Sequence, residues 1–209
     1  MTRFAILISG RGSNMAAILD FWRSAPSDYP TEESTPVLVL SNRPDAPGLD
    51  VARQGGVATE VLDHKAFGSR AEFDAALLRV LEAYQVDAIV LAGFMRILSD
   101  TLVERYPEKI VNIHPSLLPA FIGLDAPGQA IAAGVKISGC TVHFVEAALD
   151  SGPVIAQRAL EVSDTDTPEG LQARIQALEH KLYPKIIAKV FAGHYTRKGR
   201  LIALEGGRP

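Results

Sequence analysis

The sequence predicts an α/β fold, a doubly wound parallel sheet followed by an antiparallel portion, and three observations carry that prediction. Five short apolar runs recur in the first half of the chain, at residues 4–9, 37–41, 57–62, 88–91 and 110–114. Stretches with helical spacing separate most of them, as parallel strands with right-handed crossover helices require. After Pro119 the pattern changes to two longer strands joined by a short link, residues 137–145 and 153–162, which suits an antiparallel hairpin.

The first run, FAILIS at residues 4–9, is continuously apolar, as expected of a strand buried on both faces. Gly10-Arg11-Gly12-Ser13-Asn14 follows, and residues 15–22 have helical spacing. Strand, glycine loop and helix together form the arrangement that holds a phosphate on backbone N–H groups at a helix N-terminus. A dinucleotide site would need a third glycine where Met15 stands, and an acidic residue where Ser41-Asn42-Arg43 stands, so a single phosphate fits better than NAD. The alternative is a tight turn that needs glycine only for its backbone angles.

Residues 23–36 are polar, contain Pro26, Pro30 and Pro36, and read as a surface loop. Residues 48–54 form a short helix ended by Gly55-Gly56. Ser69, with Glu72 three residues on, has the capping-box spacing for a helix reaching about Tyr84, its apolar face formed by Phe73, Leu77, Leu81 and Tyr84. Arg70 in its first turn reads locally as a solvated charge. Residues 100–106 form another short helix.

The stretch at residues 110–119, IVNIHPSLLP, is the centre of the functional reading. Its β-branched start is a strand, and Pro115 ends it. Asn112 and His114, two apart, point to the same face at the C-terminal edge of the sheet, where open α/β folds bind ligands. The alternative is a capping Asn beside a half-exposed His.

Beyond Pro119, residues 120–128 read as a loop and residues 129–133 as a helical turn closed by Gly134. Asp150 sits in the hairpin tip, locally a turn aspartate. Thr167-Pro168 begins the last helix, striped by Leu171, Ile175, Leu178 and Leu182, and Pro184 is expected to kink or break it. The polar tail after Gly193 suggests an irregular strand pair.

Composition narrows the function. The chain has 209 residues, 47% hydrophobic and 22% charged, which suits one domain with a sizeable core. A net charge of −3 offers no basic field for nucleic acid. The single cysteine, Cys140, forms no internal disulfide and suits a reducing compartment. The apolar run at the start is too short for a signal peptide or membrane span, so a cytoplasmic protein is the expectation. The five histidines lie far apart without a ligand motif, so no metal site is expected. No GxSxG elbow supports a serine hydrolase. Cys140 reads as an inert core thiol, and His143 as a satisfied core histidine.

Taken together, GRGSN, AGFMRILS, NIHPSLLPAF, GCTVHFV and LDSGPVI, in this order from residue 5 to about 185, resemble the folate-dependent formyltransferases. The fold this implies is Rossmann-like, a single domain over residues 1–209. Its parallel half, 1–115, would bind phosphate and its mixed or antiparallel half, 116–209, folate. By the resemblance, Gly12, Ser13 and Asn14 hold the substrate phosphate, Arg70 adds charge to it, and Glu179 lies near the ribose hydroxyls. Met95, Arg96, Ile97 and Leu98 meet the folate's pterin ring, with Val145, Glu146 and the rest of the tip on its other side. Asn112, His114 and Asp150 match the catalytic trio. The implied activity is formyl transfer from 10-formyltetrahydrofolate, as co-substrate, to the amine of 5-phosphoribosylglycinamide in de novo purine biosynthesis. The implied partners are these two small molecules, with no metal, nucleic acid or membrane, and the protein a monomer or homodimer. Alternatives are a formyltetrahydrofolate hydrolase and a catalytically silent nucleotide- or folate-binding module. Asp125-Ala126-Pro127-Gly128 departs from the family pattern, which has a histidine in some relatives where Asp125 stands.

Overall fold

Strand β1 (Thr2–Ile8) alternates between two cores: Phe4, Ile6 and Ile8 face one cluster, Ala5 and Leu7 the other. A fully apolar run is what such a two-sided strand needs. The computed structural model describes residues 1–207. Its main sheet has seven strands, adding β2 (Ser34–Ser41), β3 (Ala58–Val61), β4 (Ala88–Leu91), β5 (Ile110–His114), β6 (Ile137–Phe144) and β7 (Val154–Glu161). Their order is β3-β2-β1-β4-β5-β6-β7. Pairings are parallel from β3 to β5 and antiparallel for β5 with β6 and β6 with β7. The chain winds outward from β1 to β3, then crosses back to β4, so the topological switch lies between β1 and β4.

Among the described residues, six α-helices cover the sheet: α1 (Ser13–Ser24), α2 (Gly48–Gln54), α3 (Arg70–Ala83), α4 (Asp100–Arg105), α5 (Ala126–Ala132) and α6 (Pro168–Phe191). Met15 and Ile18 of α1 and Ile175, Tyr183 and Ile187 of α6 fill one face, and Phe73, Leu77 and Leu81 of α3 with Leu102 of α4 fill the other. The Ser69 cap is present, its Oγ accepting from Glu72 N at 3.2 Å. The returning bond is shifted by one residue, because the Glu72 carboxylate accepts from Gly68 N at 2.9 Å.

Several local expectations are corrected. Helix α5 begins at Ala126 rather than at residue 129. Asp125 adopts φ 54° and its carboxylate accepts from Gly128 N at 3.2 Å, while Pro127 occupies the first turn, where no N–H is needed. The unusual Pro127-Gly128 pair is therefore a helix start. Pro184 does not break α6, which runs 24 residues through it. Proline in a helix interior costs about 3 kcal/mol. Leu182, Tyr183, Ile186 and Ile187 around it are all buried, each worth roughly 1.5–3 kcal/mol, so tertiary packing prevails. Residues 23–36 are more ordered than a surface loop: Thr31–Glu33 form a short 3-10 turn and β2 already starts at Ser34. Trp22 Nε1 donates to Ser34 O at 2.9 Å, and Tyr29 packs edge-on against Phe21. The tail forms a regular hairpin, β8 (Tyr195–Lys198) with β9 (Leu201–Leu204), and buries Ile202 and Leu204.

The Tyr183 hydroxyl, fully buried on α6, shares its proton between Leu91 O at 3.0 Å and Val111 O at 2.9 Å. It thereby ties the helix to the last residue of β4 and the second residue of β5, on adjacent strands of the sheet. Burial raises its pKa well above the usual tyrosine value, so it remains a donor. Tyr183→Phe should lower the unfolding free energy by about 1–3 kcal/mol, read from urea titration. Unchanged stability would show that the hydroxyl does not hold the strands.

Candidate active site

A cleft of about 580 Å³ opens at the C-terminal edge of β4 and β5, beside the loop that follows β1. A smaller hollow of about 210 Å³ adjoins it, lined by Ser9 to Asn14, Ala92, Gly93, Met95 and Gln176. The switch-point topology places both.

The glycine loop builds the floor of the smaller hollow. Gly12 has φ 69°, a left-handed backbone that favours glycine in the turn into α1. Ser13 Oγ accepts from Gln176 Nε2 at 2.7 Å, and Asn14 Nδ2 donates to Glu179 Oε2 at 2.8 Å. These bonds join the loop to α6. Glu179 was expected at the ribose on resemblance alone; it is 3% exposed and lines the larger cleft. Burial raises its carboxyl pKa, and the Asn14 bond only partly opposes this. Asn14 Oδ1 is buried without a partner. Arg11 lines both hollows, whereas Arg70, exposed at the start of α3, lines neither.

Asn112, His114 and Asp150 all line the larger cleft. His114 is 5% exposed, with Nδ1 3.5 Å from Asp150 Oδ2 and Nε2 2.8 Å from the Phe121 carbonyl oxygen. Both ring nitrogens thus face oxygen acceptors. Asp150 Oδ2 also accepts from Gly123 N at 2.9 Å, which ties the tip to the loop before α5. Asp150 itself has φ 50°, a strained backbone for a residue with a side chain.

A fourth polar group, passed over in the sequence as a core histidine, joins them. His143 is 2% exposed and satisfied, as a core histidine should be, yet it lines the cleft. The β5–β6 register sets it directly opposite Asn112. Its Nδ1 donates to Phe144 O at 2.8 Å, and its Nε2 lies 3.1 Å from Asn112 Nδ2 and 3.9 Å from Asp150 Oδ1. Burial lowers its pKa below the usual histidine value, favouring the neutral ring. Strand register is the signal that could have found it, but register is not visible in one strand alone.

The segment after β4 forms one wall. Met95 N donates to Ser9 Oγ at 2.8 Å, fixing this wall to the end of β1. Met95 is 66% exposed, Leu98 is buried, and the Arg96 guanidinium lies 4.8 Å from the Phe73 ring centroid with its Nε unpartnered. Val145 and Glu146 begin the opposite wall, which ends at Leu149 and Asp150. Leu124 and Leu149 line the cleft with exposed apolar side chains, giving a slot suited to a flat ring. Two cations of the C-terminal hairpin hold this wall. Arg197 lies 3.6 Å from Glu146, and Arg200 lies 3.8 Å from Glu146 while donating to Ser151 O at 2.5 Å and Gly152 O at 3.3 Å. Among the described residues, no cluster of three or more His, Cys, Asp or Glu side chains could hold a metal ion, and no helix is long and apolar enough to cross a membrane.

Comparison with known proteins identifies the family and the fold. Residues 2–187 match the formyl transferase family model. The chain is 41% identical over 203 residues to a phosphoribosylglycinamide formyltransferase of Escherichia coli K12, covering 97% of this chain and 93% of that protein. It is 45% identical over 191 residues to a trifunctional purine biosynthetic protein of Gallus gallus, but covers 91% of this chain and only 18% of that protein. A crystal structure of glycinamide ribonucleotide transformylase 1 from Symbiobacterium toebii superposes with a TM-score of 0.92 at 46% identity, over 98% of this chain and 94% of that one.

Glu179 provides a test with a defined sign. Its raised pKa means that the folded state binds the proton more tightly than the unfolded state. The stability it lends is therefore present below the ordinary glutamate pKa of 4.5 and lost as pH rises through the raised value. Glu179→Gln keeps an acceptor for Asn14 without the charge. The variant should melt higher than wild type at pH 7–8, with the gap closing below about pH 4.5. An equal or lower melting temperature at pH 7–8 would contradict this account.

Proposed function

The chain belongs to the formyl transferase family, and we propose that it is a phosphoribosylglycinamide formyltransferase, passing the formyl group of 10-formyltetrahydrofolate to the amine of 5-phosphoribosylglycinamide in purine biosynthesis. The observation that carries the proposal is the meeting of Asn112, His114 and Asp150 between a phosphate-suited loop and an apolar slot. The ribonucleotide phosphate would sit on the N–H groups at Gly12, Ser13 and Asn14, with Glu179 accepting from a ribose hydroxyl. The folate ring would enter between the backbone of Met95, Arg96, Ile97 and Leu98 and the tip beginning at Val145 and Glu146.

The chemistry follows from this placement. The amine attacks the formyl carbon, and the formyl oxygen becomes an oxyanion in a tetrahedral intermediate. Asn112 donates an amide N–H to it. His114 has both ring nitrogens directed at protein oxygens, so it contributes positive charge near the oxyanion rather than a direct hydrogen bond in this conformation. Asp150 balances that charge and orients the ring. A water held by the Asp150 carboxylate, beside His114, would carry the proton from the attacking amine to the leaving folate nitrogen. The residues perform this transfer with polarisation and proton movement alone.

The purified chain, mixed with 10-formyltetrahydrofolate, should consume it only when glycinamide ribonucleotide is added, followed by absorbance. Consumption in water alone would assign a hydrolase instead, and no consumption by folded protein would leave a binding module. Asn112→Ala should lower kcat by roughly 100- to 1,000-fold with folding intact. Near wild-type turnover in that variant, or in Asp150→Asn, would overturn the assignment of roles.

A further inference from the structure

We propose that His143 is a positioning residue that selects which edge of the Asn112 carboxamide faces the reacting formyl group. The inference rests on the formyl-transfer reading above. An asparagine amide has a donor edge and an acceptor edge of nearly the same shape, and a half-turn exchanges them. Only the donor edge stabilises an oxyanion; the acceptor edge would repel it. Something must therefore choose between the two.

The choice follows from a short chain of hydrogen bonds. The Phe144 carbonyl oxygen, 2.8 Å from Nδ1, requires a proton on that nitrogen. His143 is 2% exposed, and burial disfavours a second proton on the ring, so Nε2 carries a lone pair. That lone pair accepts from Asn112 Nδ2 at 3.1 Å. One amide proton is thus directed at His143, and the second is left for the cleft that both residues line. With the carboxamide turned over, Oδ1 would face the Nε2 lone pair, an acceptor against an acceptor. Burial is the largest influence on the His143 ring and lowers its pKa; the Phe144 bond and Asp150, whose Oδ1 lies 3.9 Å from Nε2 and beyond a hydrogen bond, act the other way without reversing that direction. The antiparallel register of β5 and β6 provides the geometry, because Asn112 and His143 are direct cross-strand partners.

Two measurements test this. In the wild-type protein, nitrogen-15 NMR of labelled histidine should find His143 as the neutral ring protonated on Nδ1; an Nε2-protonated or cationic ring at neutral pH would overturn the proposal. In kinetics, His143→Leu should lower kcat by roughly 10- to 100-fold while both Michaelis constants stay within about 3-fold, since the reacting geometry is lost and not the binding surface. The double variant His143→Leu with Asn112→Ala should be no slower than Asn112→Ala alone, because His143 acts only through Asn112. Additive losses, or unchanged kcat in His143→Leu, would overturn it. If the wild type transfers no formyl group at all, the functional reading fails while the tautomer measurement still decides the hydrogen-bond chain.

Discussion

The antiparallel pairing of β6 against β5 is the constraint from which the site follows. The first five strands run parallel and present their C-terminal ends together, as any doubly wound sheet does. On its own this arrangement would offer Asn112 and His114 to solvent with nothing opposite. Reversing the next strand sets His143 across from Asn112 and Thr141 across from His114. It also sends the chain out as the tip that returns Asp150 to His114. Two contributions to the site, His143 and Asp150, thus come from one change of strand direction, and Gly152 permits the return by passing so close to the Phe144 carbonyl that a Cβ would overlap it.

The site is costly to hold together. Glu179 is a buried carboxyl, Asn14 leaves one buried oxygen unpaired, and Asp150 adopts a left-handed backbone. The surrounding packing offsets these penalties. Both faces of the sheet are sealed by apolar clusters, and α6 contributes to core and site at once: Ile175, Tyr183 and Ile187 face inward while Gln176 and Glu179 reach the glycine loop. A helix anchored so heavily on one face can present strained or ionisable groups on another.

Much of this was legible in the sequence where the cause is local. The five apolar runs became the five parallel strands, the 48–54 helix was found with its observed ends, and Thr167-Pro168 opened α6 as capping chemistry dictates. Asn112 and His114 could be paired because a strand repeats every two residues. What was not legible depends on distant contacts. The place of His143 depends on the register of another strand. Pro184 stays within a continuous helix because the surrounding turns are buried, which no local propensity reports. The early start of α5 turns on Asp125 adopting a left-handed conformation, unusual for a residue other than glycine. The family resemblance supplied Asp150 and Glu179, whose surroundings taken alone suggested a turn and a helix surface.

The hairpin formed by β8 and β9 lies outside the segment that the family model matches, yet Arg200 grips both ends of the tip that carries Asp150. These residues follow every other part of the site along the chain. During synthesis, which proceeds from the amino end, the sheet, the cleft and the tip all emerge before their fastener does. A nascent chain would thus hold every group that meets the reactants while its Asp150 wall, tied only through Gly123 N and His114, still lacks the hairpin's cations. The last contacts of that wall would form as the closing event of maturation, made by residues that never approach the formyl group.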